Sequence, residues 1–259
     1  MSGSTAFDRA AAYYDATRGW SLEGAARETA VLAAELSGRG PVLEVGVGTG
    51  QVGMPLFAQG VPLLGMDLSR PMLDVLLAKA AGEPPFPLVQ ADATRMPFAD
   101  DAFGGVILRW VLHLIPDWEG ALGEIARVVG TRGVLIVQLG GPGDGVAKAI
   151  RERFTAEADI DGRPVGLDWT GYEHLDAAMA FLDATPRDLP TFTAEDAMSV
   201  EGFMAGIEAN AYSWTWPLAE STLAAAAAVT RAWAEATYGP LDALEPARYE
   251  VTWRAYDLP

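Results

Sequence analysis

The chain of 259 residues contains no cysteine and only two histidines, His113 and His174. The absence of cysteine excludes disulfides, thiolate nucleophiles and cysteine-based metal sites. Two histidines are too few for a histidine-based metal cluster. The motifs H-E-x-x-H, G-x-S-x-G and G-K-[ST] are also missing. The sequence therefore predicts neither a metal site nor a covalent nucleophile of the common types.

Positive charge is scarce. Lysine and arginine together number 18 against 35 acidic residues, which gives a net charge of −17. A surface of this charge repels phosphate backbones and acidic lipid headgroups, so we expect no nucleic acid and no membrane as partner. A small neutral or cationic substrate is easier to accommodate.

Long apolar runs are missing as well. No window approaches the roughly 18 uncharged apolar residues of a membrane span, and the opening MSGSTAFDRA has neither the basic region nor the apolar region of a signal peptide. The alanine run at 224–228 is followed by Arg231 and Glu235, as in a water-exposed helix. We therefore expect a cytoplasmic protein, and no pattern indicates its oligomeric state.

What the sequence does contain is organised around Pro41–Gly50, read as PVLEVGVGTG. A short apolar run predicts a buried strand, and glycines at 46, 48 and 50 predict an open turn before a helix over Gln51–Gln59. We expect such a turn to face its backbone N–H groups outward and to let a ligand approach the chain closely. Glu44, inside the strand, requires a polar or cationic partner.

Two ligand classes fit this turn. Gly48-x-Gly50-x-x-Gly53 satisfies the dinucleotide fingerprint, although that pattern alone is weak. Glu44, however, lies two residues before Gly46, where it would place like charge against a pyrophosphate. The form E-x-G-x-G-x-G resembles motif I of the class I S-adenosylmethionine-dependent methyltransferases. That resemblance implies that Glu44 and the loop residues Gly46, Val47 and Gly48 contact the cofactor.

An acidic residue follows the second predicted strand, Val61–Met66. Asp67 comes 21 residues after Gly46, a spacing suited to accepting both ribose hydroxyls of either an adenosine methyl donor or NAD. Ser69 is a good N-cap for the next helix. Leu68 and Met72 are predicted to flank the adenine. The alternative for Asp67 is that it only caps the helix entry.

The stretch ADATRMPFADDAFGGVILRWVLHLIPDW, residues 91–118, follows a third short strand at Pro87–Gln90. It resembles the second signature of the type-11 family of these methyltransferases. The resemblance implies that Asp92 accepts from the exocyclic amine of adenine and that the Ala93 N–H donates to a ring nitrogen, which matches the donor and acceptor edge of the base.

The same resemblance places Arg109 and Trp110 where the family's backbone carbonyl receives the cofactor's ammonium. A charged Arg109 departs from the small residue usual there, and it either reaches into the substrate pocket or extends outward. His113, one turn later, is a candidate general base because histidine titrates near neutral pH. The alternative is that His113 serves shape alone.

The phrase YYDATRG ends a predicted helix over Phe7–Arg18. It resembles the N-terminal helix that lies over the cofactor's amino-acid end in small-molecule methyltransferases. By that resemblance Tyr14 or Tyr13 contacts the cofactor and Arg18 pairs with its carboxylate. Alternatively, the tyrosines only pack and Arg18 is a solvated helix end.

Helices alternate with continuous apolar strands, which predicts an α/β fold with a parallel sheet covered on both faces. The resemblance implies a Rossmann-like, seven-stranded, mostly parallel sheet with an antiparallel C-terminal strand, together with a helical cap. We divide the chain into a cofactor-binding core at 1–140, a mainly helical substrate-covering region at 141–245 and a returning strand at 246–259. Strands are expected at Pro186–Thr193 and Arg248–Tyr256. Aromatic residues are candidates for an apolar pocket in the cap: Trp169, Tyr172, Phe181, Tyr212, Trp214 and Trp216.

The function that the resemblance implies is transfer of a methyl group from S-adenosylmethionine to a small-molecule acceptor by in-line displacement, which mainly requires positioning and a dry site. Two alternatives stay open. One is an NAD-dependent oxidoreductase on a similar sheet, although no Tyr-x-x-x-Lys pair is visible. The other is a protein that binds S-adenosylmethionine without catalysis.

Overall fold

The computed structural model describes residues 7–139, 145–168 and 171–259. Within them, the strands are β1 Val42–Val45, β2 Leu63–Asp67, β3 Leu88–Gln90, β4 Gly105–Arg109, β5 Val134–Gln138, β6 Thr185–Asp188, β7 Phe192–Glu195, β8 Arg248–Val251 and β9 Arg254–Asp257. The helices are α1 Tyr14–Thr17, α2 Leu22–Leu36, α3 Gly53–Ala58, α4 Arg70–Lys79, α5 Trp118–Val129, α6 Gly145–Glu157, α7 Glu173–Ala180, α8 Val200–Glu208 and α9 Glu220–Tyr238.

The main sheet has the order β3-β2-β1-β4-β5-β9-β6. β3, β2, β1, β4 and β5 run parallel, and β9 is antiparallel to both of its neighbours. The predicted seven-stranded, mostly parallel sheet with an antiparallel C-terminal strand is thereby confirmed. Because β1 lies between β2 and β4, the chain changes direction across the sheet next to the glycine turn, where α/β folds bind ligands.

Strand alternation divides the core into two layers. In β4, Val106 and Leu108 pack with α5, whereas Ile107 packs with α2 and α3 on the opposite face. Both faces are therefore apolar, as a covered parallel sheet requires. The cap forms a third cluster in which α6, α8 and α9 bury residues such as Phe154 and Met204. Among the described helices, none has the length and apolar content needed to cross a bilayer.

Three element predictions were wrong in detail. Pro186–Thr193 is not one strand: it divides into β6 and β7 around Pro190, which has no N–H to donate to a ladder. Arg248–Tyr256 also divides, so that β8 pairs with β7 in a separate two-stranded sheet and only β9 returns to the main sheet. The completely buried Trp253 lies at the bend between β8 and β9.

The predicted helix over Phe7–Arg18 is likewise interrupted. A 3₁₀ turn at 8–10 is followed by the four residues of α1. The aromatic side chains of this segment contact the cap instead of forming one helical face: Phe7 packs on Trp216, with ring centroids 5.0 Å apart, and the Tyr13 hydroxyl donates to the Asn210 carbonyl at 3.4 Å.

Candidate functional site

A cavity of about 730 Å³ opens at the carboxyl ends of the strands. Its walls come from the glycine turn, the ends of β2, β4 and β5, the N-terminal segment, β8 and the cap. Its size is that of a small-molecule pocket. All but two of the site residues predicted from the sequence line this cavity: Tyr14, Arg18, Gly46, Gly48, Asp67, Leu68, Met72, Asp92, Ala93, Arg109, Trp110 and His113.

The glycine turn lets a ligand approach the backbone closely, but the backbone N–H groups of its first three residues already donate to other acceptors in the protein. The N–H groups of Gly46 and Val47 both donate to the Met66 carbonyl, at 2.8 and 3.0 Å, and that of Gly48 donates to Asp67. The expectation of outward-facing N–H groups at these three residues was therefore wrong. A Cβ at Gly46 would lie 2.4 Å from Val111 Cγ2, and its φ of +72° favours glycine.

Glu44 and Val47 are the two predicted cofactor residues that do not line the cavity. Glu44 is 2% exposed and accepts the N–H of Gly53 at the start of α3. Burial raises the pKa of Glu44 well above its usual value, and the positive charge of Arg109 partly offsets this. Val47 is buried against Gly65. Both residues shape the turn from behind.

Asp67 joins the glycine turn to the start of α4. Its Oδ2 accepts the Gly48 N–H and its Oδ1 accepts the Ser69 N–H, both at 2.8 Å. Burial raises the pKa of Asp67, and these two N–H groups act in the opposite direction. Asp67 therefore caps the helix entry and also lines the cavity, so the two readings of this residue do not exclude each other.

The ends of β2 and β3 form one wall of the cavity. Asp92 lies in the turn after β3, where its Oδ1 accepts both the N–H and the hydroxyl of Thr94 at 2.9 Å. These bonds fix the carboxylate next to Ala93, Leu68 and Met72, which line the same wall. A carboxylate beside apolar side chains suits the edge and faces of a purine ring.

Arg109 extends neither outward nor freely into the cavity. Its side chain is 7% exposed, its Nε is 3.5 Å from Glu28 Oε1, and its Nη1 donates to Gln51 Oε1 at 3.3 Å. The guanidinium lies 4.0 Å from the ring centroid of Trp110. Its Nε and Nη2 have no hydrogen-bond partner. The wall of the cavity therefore contains a buried cation with unused donors.

Gln138 was missed in the sequence analysis. It ends β5 directly beside Arg109 in the sheet register, is 8% exposed and lines the cavity. Among the residues that the structure describes, none forms a hydrogen bond with its Oε1. The sequence feature that could have identified Gln138 is a polar residue at the end of an otherwise apolar strand, VLIVQ.

The N-terminal segment covers the cavity. Tyr14 is surrounded by protein, and burial raises its pKa while the charges of Arg18 and Arg109 oppose the shift. The Arg18 guanidinium lies 4.3 Å from the ring centroid of Tyr212 in the cap and donates to the Thr17 carbonyl at 2.7 Å. Arg18 is therefore not a solvated helix end.

His113 lies in the turn Leu112–Leu114 after β4. Burial, with smaller contributions from the positive charges of Arg18 and Arg151, lowers the pKa of His113 to about 3. The imidazole is therefore neutral near pH 7 and weakly basic. Its assignment as a general base stays a prediction.

The cap supplies the remaining wall. Of the aromatic candidates, Tyr172, Tyr212 and Trp214 line the cavity, and the last two stack with centroids 5.5 Å apart. Phe181 is 90% exposed and Trp216 packs away from the cavity, whereas Trp169 lies outside the described residues. Further lining residues were not predicted: Arg151, Asp196, Phe203 and Tyr249. Their sequence neighbourhood carries no motif that marks them.

Comparison with known proteins identifies the domain. Residues 43–137 match the type-11 model described as a methyltransferase domain. The chain is 35% identical over 129 residues to phosphatidylethanolamine N-methyltransferase of Cereibacter sphaeroides, covering 49% of this chain and 62% of that protein. It is 31% identical over 189 residues to ribosomal RNA small subunit methyltransferase A of a Synechococcus strain, covering 66% of each.

The fold is also shared with solved structures. The YcgJ protein of Bacillus subtilis aligns over 90% of this chain and 99% of its own, with a TM-score of 0.59 and 17% identity. The chain spans less than two thirds of the length of the curated relatives named above. The region 43–137, which contains the E-x-G-x-G-x-G turn, is thus a methyltransferase domain of the type-11 family.

Proposed function

We propose that this protein transfers a methyl group from S-adenosylmethionine to a small-molecule acceptor. The observation that carries the proposal is one cavity in which Asp67 and Asp92, at the tips of neighbouring strands, stand beside a glycine turn and a buried arginine with unused donors. The cavity also extends under the cap, which leaves room for an acceptor.

The residues present fit the cofactor. Asp67 would hold the ribose hydroxyls, and Asp92 with Ala93 would hold the adenine. The N–H groups of Arg109 that lack partners suit the carboxylate of the amino-acid end, since a buried unsatisfied donor is costly unless a ligand completes it.

When bound, S-adenosylmethionine supplies an already activated methyl group for in-line displacement. The chain itself supplies position and a dry site. Tyr14 and the stacked pair Tyr212 and Trp214 cover the cavity and exclude water. In this proposal the core at 1–140 holds the cofactor, the region 141–245 covers the acceptor, and the segment 246–259 completes the sheet. The net charge of −17 supports a cytoplasmic enzyme without nucleic acid or membrane as partner.

The test compares two ligands by thermal unfolding. S-adenosylhomocysteine at 100 times its Kd is expected to add about 2.7 kcal/mol of stability, which raises Tm by roughly 5–11 °C for a chain of this size. NAD at the same concentration is expected to leave Tm unchanged. A shift with NAD alone would reject the proposal in favour of an oxidoreductase.

Activity needs a second measurement. Labelled S-adenosylmethionine incubated with a metabolite extract is expected to yield a labelled small molecule. Cofactor binding without any labelled product, in extract fractions that together cover the polar and apolar metabolites, would favour a binding protein without catalysis.

A further inference from the structure

The acceptor half of the cavity is aromatic and basic. Beyond His113, its wall contains Tyr212, Trp214 and Phe203 together with two arginines, Arg18 and Arg151. Two guanidinium groups thus lie on one small wall of a chain that has only 18 basic residues against 35 acidic ones.

Arg151 is built into this wall. It lies on α6, is only 9% exposed, donates through Nη2 to the Gly162 carbonyl at 2.8 Å and lies 5.2 Å from the Trp214 ring centroid. Burial lowers its pKa to about 10, so it remains a cation near pH 7. Desolvating a cation costs free energy that an anionic ligand would offset.

Arg18 adds a second cation from the N-terminal segment, over the face of Tyr212. Arg18 and Arg151 both act electrostatically on His113, which lines the same cavity. Two carboxylates also line this half: Asp196 accepts from the Tyr249 hydroxyl at 3.0 Å and interacts electrostatically with Arg18, and the exposed Glu250 accepts from the Thr193 hydroxyl at 3.1 Å.

We propose that the methyl acceptor is an aromatic or apolar molecule with a carboxylate, which Arg18 and Arg151 hold while Tyr212 and Trp214 contact its apolar body. The guanidinium fork matches a carboxylate in geometry and charge. Two cations make that carboxylate less nucleophilic, so it anchors the acceptor and is not the methylated atom. This inference rests on the proposed function and replaces the neutral or cationic substrate that net charge favoured.

The test measures charge preference with defined probes. In saturating S-adenosylhomocysteine, calorimetry is used to compare 3-phenylpropionate with 3-phenylpropionamide and 3-phenylpropylamine, each up to about 10 mM. Wild type is expected to bind the carboxylate at least about tenfold more tightly than the amide, because hydrogen bonds to a charged group are the stronger ones. The amine is expected to bind most weakly.

Variants assign the preference to the arginines. Arg151→Met is expected to abolish it while the affinity for the amide stays within about threefold, and Arg151→Lys is expected to retain part of it. Lys148→Met, an exposed change of the same charge on the same helix, is the matched control and is expected to behave as wild type.

The possible outcomes distinguish a failure of the proposed methyltransferase function from a failure of the inference about the acceptor's carboxylate. Failure of S-adenosylhomocysteine to bind would reject the proposed function and this inference with it. Cofactor binding with equal affinity for carboxylate and amide, no binding of any probe, or a preference that survives both Arg18→Met and Arg151→Met would overturn the inference alone. A base-labile methyl ester as the enzymatic product would overturn the anchoring role.

Discussion

Arg109 provides the sharpest test of how the cofactor is held. Replacing it with methionine keeps the length and apolar stem of the side chain but removes the buried guanidinium. Glu28 would lose a cation 3.5 Å away and keep its bond from Trp20 Nε1 at 2.9 Å. We therefore expect a stable fold with a lower Tm.

The magnitude follows from the unused donors of Arg109. Among the described residues, Nε has only the ion pair with Glu28 at 3.5 Å and Nη2 has no hydrogen-bond acceptor, so a ligand carboxylate would gain one or two charge-assisted hydrogen bonds. Each such bond contributes about 1.5–3 kcal/mol. Desolvation of the carboxylate offsets part of this, and a net loss of about 2–3 kcal/mol corresponds to a roughly 30- to 150-fold weaker Kd.

The assay uses two ligands that differ at one end. S-adenosylhomocysteine carries the amino-acid carboxylate, whereas 5′-methylthioadenosine lacks it and keeps the adenosyl group. Calorimetry on Arg109→Met is expected to show the full loss for the first ligand and less than about threefold change for the second. Arg27→Met, which removes an exposed arginine from α2 outside the cavity, is the matched control and is expected to retain the affinity for both. An equal loss for both ligands, or no loss for either, would refute the reasoning.

The other predictions concern the ribose, the histidine and stability. Asp67→Ala removes a doubly hydrogen-bonded carboxylate from the cavity wall, so calorimetry should show at least about thirtyfold weaker binding of S-adenosylhomocysteine; a lower Tm with unchanged affinity would mean that Asp67 only caps α4. Because the pKa of His113 is lowered to about 3, the pH–rate profile should have no limb near pH 6.5 from this residue, and a limb there that disappears in His113→Asn would contradict the burial argument. Arg187 joins Glu35 and Asp257, so Arg187→Met should lower Tm by about 2–4 °C, or about 1 kcal/mol. Since Arg187 holds the pKa of Asp257 below its usual value, that deficit should be complete above about pH 4 and shrink as acid protonates Asp257; a deficit independent of pH down to pH 2 would rule out this ion pair as the cause.

Sequence patterns are sufficient to predict an element when the interactions that stabilise it lie within its own segment of the chain. Leu22–Leu36 and Trp118–Val129 form helices because an apolar face, a capping Ser21 or Asp117 and a closing turn all lie within or next to each segment. In the same way, β4 is a continuous apolar run that begins at glycine, which is typical of a buried strand.

The predictions from the sequence were wrong where contacts between distant parts of the chain determine the secondary structure. Nothing within Arg248–Tyr256 shows that its first half leaves the main sheet to pair with β7, because that choice depends on a partner more than 50 residues away. The segment Phe7–Arg18 has a helical pattern, yet its aromatic rings find partners in the cap and the helix is broken.

The residues of the cavity wall also fall into two groups: those that the sequence predicted and those that depend on tertiary contacts. Asp67 and the glycine turn were identifiable because the spacing along one βαβ unit fixes where they meet, and Asp92 was identified by the resemblance of residues 91–118 to the type-11 signature. The direction of the Arg109 side chain, the neighbouring Gln138 and the role of Arg151 could not be read, since each depends on which element packs opposite.

The sequence by itself thus determined the parallel sheet, the carboxylates at its strand tips and the family, because strand periodicity and motif spacing are local properties of the chain. Only the tertiary structure decided which charges face the acceptor. Arg18 and Arg151 are 133 residues apart in the chain, and they act on the same imidazole because the N-terminal segment and α6 both line one cavity.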